Sequence, residues 1–207
     1  MALVMFDYDG VIVDSEEIFL QNFAAACAAH GYKATAQELI DCFDDNFYVS
    51  MSKKGIEEAI INAILKDFKQ LQEPCLENLQ LFAGIPEMLE QLAQVHDLYI
   101  ITSNLSSATK AILAKHNIHC VKDVIGADIE KSKVKKIQHV MHVNPLRPAF
   151  YVGDTKGDML EGRQAGTSPI AAAWGWHSEE RLRQGNPDYV AHSPQELVKI
   201  LTELPTD

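Results

Sequence analysis

The chain has 207 residues, a formal net charge of −11, and 47% hydrophobic and 23% charged residues. Such a length and balance suit one ordinary domain, or a core with a modest insertion, that buries an apolar interior. The acidic excess argues against broad nucleic-acid binding, while leaving room for a local basic cleft.

Residues 3–6 form a short apolar run that reads as a buried first strand, followed at once by Asp7-Tyr8-Asp9-Gly10. Asp14 or Ser15 is placed to cap a helix ending near His30-Gly31, and Thr35-Ala36-Gln37-Glu38 is a capping-box pattern for a second helix. A polar stretch, 44–54, precedes Ile56, Ile60, Ile61, Ile64, Leu65 and Phe68 at helical spacing. No strand pattern appears between Ser15 and Phe82, so 15–83 reads as a helical cap inserted into a core made of 1–14 and 84–207.

The core pattern resumes at Gly84-Ile85-Pro86, with Pro86 in a helix first turn. Strands are expected at 98–102, 121–126, 149–153, 168–173 and 189–191. Helices are expected at 106–115, 132–142 and 157–165, and a last one opening at Ser193-Pro194-Gln195-Glu196. Strands alternating with helices imply an α/β fold with a doubly wound parallel sheet. Cys27, Cys42, Cys75 and Cys120 form no CxxC pair and read as free thiols of a reducing compartment. The N-terminus has neither a basic region nor a long apolar run, so no signal peptide or membrane anchor is expected, and the expected location is cytoplasmic.

Two stretches, 4–11 and 150–158, each place carboxylates just after an apolar strand. Ligands of open α/β sheets bind at that edge. Asp7, Asp9, Asp154 and Asp158 gathered there would repel one another without a cation, and hard oxygen donors favour Mg²⁺. Asp7 can act as a nucleophile, and Asp9, two residues on in a turn, as an acid and base. Thr102 and the Ser103 N–H can bind phosphate, although a strand-end turn accounts for the same residues. Asn104 reads as a turn former, and Trp174-Gly175-Trp176 as packing. His139 and His142 lack partners for a zinc site, and with His116 and His119 they read as structural or surface groups. Lys53 and Lys54 read first as a solvated helix start, with contact to a substrate's distal group as the alternative.

The Asp7-Tyr8-Asp9-Gly10 and Gly153-Asp154-Thr155-Lys156-Gly157-Asp158 motifs resemble those of the haloacid dehalogenase-like hydrolases. The stretch 98–104 resembles the second family motif. Lys133 resembles the phosphate-binding lysine, and Lys131 fits the same spacing. The resemblance is to the phosphoglycolate phosphatase and β-phosphoglucomutase branch, and it implies a Rossmann-like core with a small helical cap. It implies Mg²⁺ held by the Asp7 carboxylate, the Asp9 carbonyl and the Asp154 carboxylate, with Asp158 just behind. The expected activity is hydrolysis of a small phosphate monoester through an aspartyl-phosphate. A sugar-phosphate mutase is the alternative, and a non-catalytic binding protein a more distant one. Halide displacement is disfavoured because Asp9 is present, and phosphonate cleavage because no cap lysine for a Schiff base can be placed. No nucleic-acid or membrane partner is expected, and the oligomeric state, monomer or weak dimer, stays open.

Overall fold

The computed structural model describes residues 1–44 and 47–203. By internal contacts the chain divides into two units, Met1–Asp14 with Leu81–Asp207, and Ser15–Gln80.

The first unit is built on a parallel sheet flanked by helices. Strand β1 (Leu3–Phe6) is wholly buried, as its unbroken apolar run requires of a strand covered on both faces. A two-residue strand β2 (Val13–Asp14) follows. The chain then leaves through α1 (Glu16–Ala29), α2 (Ala36–Ile40), α3 (Phe47–Lys53) and α4 (Glu58–Gln72). It returns at β3 (Gln80–Leu81), which pairs with β2. The rest alternates: α5 (Ile85–Ala93), β4 (Asp97–Ile101), α6 (Ser106–Lys115), β5 (Asp123–Ile125), α7 (Lys133–Val143), β6 (Ala149–Gly153), α8 (Lys156–Ala165), β7 (Ser168–Ala172), α9 (Glu179–Gln184), β8 (Tyr189–Ala191) and α10 (Pro194–Glu203).

The sheet order is β5-β4-β1-β6-β7-β8. Strand β1 lies between β4 and β6, parallel to both, with Phe6 in register with Ile100 and Val152. The residues just past Phe6, Ile101 and Gly153 therefore emerge at one edge, the carboxyl ends of the strands. There the chain order reverses across β1, the place where sheets of this class bind ligands.

The second unit has its own core. Phe23, Cys27, Leu39, Cys42, Ile61 and Ile64 are buried together, and Phe68 packs edge-on against Phe19 and Phe23 with ring centroids 4.8 and 5.3 Å apart. Thr35 closes the expected capping box with Glu38. The unit ends at Gln80 rather than at 83: Leu81 belongs to the short β2–β3 pair, and the Phe82 N–H donates to the Ile12 carbonyl at 3.1 Å. The polar stretch 44–54 is largely helical, as α3, and it buries Met51. Asp45 and Asn46 of that stretch lie outside the described residues.

Candidate active site

Asp7 follows β1 directly, and its backbone N–H still bonds the Val152 carbonyl of β6 at 2.8 Å. The nucleophile candidate is thus set by the sheet itself. One carboxylate oxygen, Oδ1, accepts from the Tyr8 N–H at 2.8 Å, and the other, Oδ2, accepts from Lys133 Nζ at 2.9 Å. After Asp9 the chain doubles back, with the Gly10 N–H on the Val13 carbonyl at 3.0 Å. Gly10 has φ +75°, and a Cβ there would overlap the Asp154 carboxylate, so only glycine serves.

Lys133 is the first residue of α7. The Ser132 hydroxyl caps that helix by accepting the Lys135 N–H, which places Lys133 where its side chain reaches the sheet edge. Its ammonium bridges Asp7 and Asp158, the latter at 2.6 Å. Lys131 is exposed. Between the two lysines left open by spacing, the structure brings Lys133 to the carboxylates.

Asp154 and Asp158 come from the β6–α8 turn. Asp158 Oδ2 accepts the Thr155 N–H and hydroxyl at 3.1 and 2.6 Å, while Thr155 Oγ1 accepts the Asp158 N–H. Asp158 Oδ1 accepts from Lys133 and from the Tyr151 hydroxyl at 3.1 Å. Asp154 is bound differently. Its Oδ2 accepts the Trp176 N–H at 2.8 Å, but its Oδ1 is buried with no hydrogen-bond partner. One carboxylate oxygen each from Asp7, Asp154 and Asp158 lie within 4.8 Å of one another.

The electrostatics divide these acids. Burial raises the Asp7 carboxyl to about 7, with Asp158 and Asp9 adding to the rise and Lys133 opposing it. Burial, then Asp158 and Asp7, push Asp154 well above the carboxylate range. Burial also acts to raise Asp158, but the Lys133 charge and the bonds from Lys133 and Thr155 outweigh it and hold this carboxyl low. Burial works against the Lys133 ammonium, yet Asp158 and Asp7 keep it firmly charged. Hence three buried carboxylates face one shared ammonium, and a buried carboxylate oxygen lacks a donor. Hard oxygen ligands with unbalanced negative charge fit a Mg²⁺ ion.

Thr102 follows β4 and is fully buried, with its hydroxyl oxygen accepting the Asn104 N–H at 3.0 Å. The hydroxyl proton is therefore left to donate elsewhere. Ser103 beside it is exposed.

Three features escaped the sequence reading. Asn104 is more than a turn former: its side-chain amide donates to Asp9 Oδ2 at 2.7 Å. Lys136, on the same helix as Lys133, is buried and donates to the Thr102 carbonyl. The Trp174–His177 segment after β7 is wrapped around the acidic turn. Besides the Trp176 bond, the His177 N–H reaches the Asp154 carbonyl at 3.2 Å, and His177 Nδ1 accepts the Lys156 N–H at 3.0 Å. Trp174 Nε1 bonds the Val11 carbonyl at 3.1 Å. A Cβ on Gly175 would overlap both the Asp154 side chain and the Gly10 carbonyl oxygen. A Trp-Gly pair just after a strand was the available signal, since glycine often marks close backbone approach.

A family model described as haloacid dehalogenase-like hydrolase matches residues 4–172. The chain is similar to a phosphoglycolate phosphatase of Synechococcus elongatus, 28% identical over 221 residues covering 99% of each protein. It is also similar to pyrophosphatase PpaX of Bacillus thuringiensis, 21% identical over 212 residues covering 97% of this chain and 96% of that one. Among solved structures it resembles a haloacid dehalogenase-like hydrolase family protein of Streptococcus pneumoniae. The TM-score is 0.82 at 25% identity, over 97% of this chain and 98% of that chain. With the family match spanning both acidic motifs, the chain belongs to the haloacid dehalogenase-like hydrolases.

Proposed function

We propose that this hydrolase is a Mg²⁺-dependent phosphatase that cleaves a small phosphate monoester through an aspartyl-phosphate on Asp7. The observation that carries the reading is the Asp7 environment: a carboxylate at the strand end, paired with Lys133 and within 4.8 Å of two further buried carboxylates. Phosphoryl transfer needs a placed nucleophile, positive charge around the phosphoryl oxygens, and an acid for the leaving group.

In this reading Asp7 attacks phosphorus. Its O–P bond forms as the ester P–O bond breaks, and Asp9 gives a proton to the departing oxygen. Water then attacks the same phosphorus, Asp9 takes its proton, and the Asp7 carboxylate leaves. Lys133, the Thr102 hydroxyl and the Ser103 N–H hold the phosphoryl oxygens. The Asp7 carboxylate, the Asp9 carbonyl and the Asp154 carboxylate would hold Mg²⁺, which supplies charge to offset that of the phosphoryl group. Asp158 stands behind, orienting Lys133 and the acidic turn.

The name of the S. elongatus relative makes phosphoglycolate the first substrate to test, and that of the Bacillus relative makes pyrophosphate the second. Both names describe hydrolysis, which favours water over a sugar hydroxyl as acceptor and places the mutase reading behind. Substrate choice is assigned to the helical unit, with Lys53 and Lys54 as candidates for an anionic tail.

The test is turnover of p-nitrophenyl phosphate, phosphoglycolate and pyrophosphate, with Mg²⁺ and with EDTA. Metal-dependent release of phosphate is expected, and Asp7→Asn should abolish it. Lys133→Ala should cripple the enzyme while Lys131→Ala leaves it active. Retained turnover by Asp7→Asn would falsify the nucleophile assignment, and no hydrolysis of any ester with Mg²⁺ present would sink the phosphatase reading.

A further inference from the structure

Asn104 is held on three sides. Its N–H donates to the Thr102 hydroxyl at 3.0 Å, and its carbonyl accepts the Ala127 N–H at 2.9 Å. Its side-chain amide donates to Asp9 Oδ2 at 2.7 Å. The backbone beneath it is pinned again, because the buried Lys136 ammonium donates to the Thr102 carbonyl. With its main-chain N–H and C=O both engaged, the backbone that carries the Asn104 amide is fixed, and the amide itself is held by its bond to Asp9.

We propose that Asn104 is a positioning residue for the general acid, fixing the plane of the Asp9 carboxyl and directing its proton to the other oxygen, Oδ1. This rests on the acid–base role of Asp9 given above. A carboxyl group has two equivalent oxygens and rotates about its Cβ–Cγ bond. An N–H set on Oδ2 satisfies that oxygen as an acceptor, so the proton is carried by Oδ1. Orientation of this kind governs how well an acid meets the leaving oxygen, and small misplacements are costly. The β4–α6 turn thereby serves two purposes: Thr102 and Ser103 address the phosphoryl oxygens, and Asn104 addresses the proton donor.

The experiment is a leaving-group series of substituted phenyl phosphates, nearly alike in size and differing in the basicity of the phenol released. p-Nitrophenoxide departs with little help, whereas phenoxide needs a proton. Asn104→Ala should lower kcat on phenyl phosphate about tenfold more than on p-nitrophenyl phosphate, part of the range that a positioned acid supplies. Asn104→Asp, equal in size, sets an acceptor against an acceptor and should show the same bias, which guards against a variant that folds poorly. The Mg²⁺ titration midpoint, followed by tryptophan fluorescence, should stay at the wild-type value in Asn104→Ala, which adds no charge.

Asp9→Asn run alongside separates the two claims. If Asp9→Asn shows the steep leaving-group bias and the Asn104 variants lose equally on every ester, Asn104 binds the phosphoryl group or merely shapes the turn, and the inference falls alone. If Asp9→Asn itself shows no bias, the acid–base role of Asp9 falls and takes the inference with it. In the Asp9→Asn background, Asn104→Ala should cost little more; a full, additive loss there would also overturn the inference.

Discussion

Asp158 and Thr155 cap the same helix end reciprocally, each side chain bonding the other's backbone N–H. That geometry commits Asp158 Oδ2 to Thr155, while Lys133 and Tyr151 take Oδ1. Asp154, four residues earlier, keeps a buried oxygen without a donor. The two aspartates of one turn therefore bear opposite relations to stability.

Asp158→Asn should lower stability by about 3 kcal/mol, since it removes one of the two carboxylates that pair the buried Lys133 ammonium and sets an amide NH₂ against protein donors. Asp154→Asn should raise the melting temperature of the metal-free protein, because it replaces a carboxyl whose ionisation burial, Asp158 and Asp7 all oppose. It should also abolish Mg²⁺-induced stabilisation. Thermal melts with Mg²⁺ and with EDTA read both effects. Shifts of the same sign for the two variants would contradict this division of roles.

Binding of Mg²⁺ should release protons near neutral pH. In the metal-free fold Asp7 is raised to about 7 and Asp154 well above the carboxylate range, so part of the site holds protons that a cation must displace. Affinity should consequently rise with pH through about 7. Calorimetric titrations at one pH in two buffers of different ionisation enthalpy measure the protons directly. Equal apparent enthalpies in both buffers would mean that the carboxylates are already ionised.

Gly175→Ala should damage the proposed metal site without replacing a ligand. The added methyl would press on Asp154 and on the Gly10 carbonyl, displacing a carboxylate that the neighbouring Trp176 N–H holds in place. The expected result is a Mg²⁺ requirement shifted at least tenfold upward, the order of loss typical of disturbed outer partners. An unchanged midpoint would show that the Trp174–His177 segment yields freely.

The sheet was legible because its strands are short apolar runs ending in chemistry-bearing residues: 3–6 before Asp7, 149–153 before Asp154. Their alternation with helices fixed the parallel class, and the capping signals at Thr35 and Ser193 sit where helices start. What stayed hidden depends on partners distant in sequence. Lys131 and Lys133 were indistinguishable by spacing, since only the Ser132 cap and the reach to Asp7 separate them. The burial of Lys136 has no local signal, because its acceptor, the Thr102 carbonyl, lies 34 positions away. Asn104 bonds a residue 95 positions distant, and no local periodicity encodes that contact.

Lys136 supplies the last prediction. Its ammonium is pushed down to about 8 from 10.5, first by burial and then by the Lys133 charge, against the opposing pull of Asp7, Glu161 and Glu130. The folded state thus binds this proton less tightly than the unfolded chain does. Below about pH 8 both states are protonated and the cost of burying the cation is fully present. Between about 8 and 10.5 the unfolded chain holds more protons, so this residue's contribution grows more favourable as pH rises. Lys136→Met removes the titrating group while nearly preserving the aliphatic stem. Urea unfolding of both proteins at about pH 7 and about pH 9.5 should therefore show the wild type gaining on the Met variant at the higher pH, other titrations cancelling in the difference. A pH-independent difference would mean that Lys136 keeps an ordinary ammonium and the Thr102 turn is held by other means. A gain for the wild type together with reduced turnover in Lys136→Met would tie the buried cation to the turn that carries Thr102, Ser103 and Asn104.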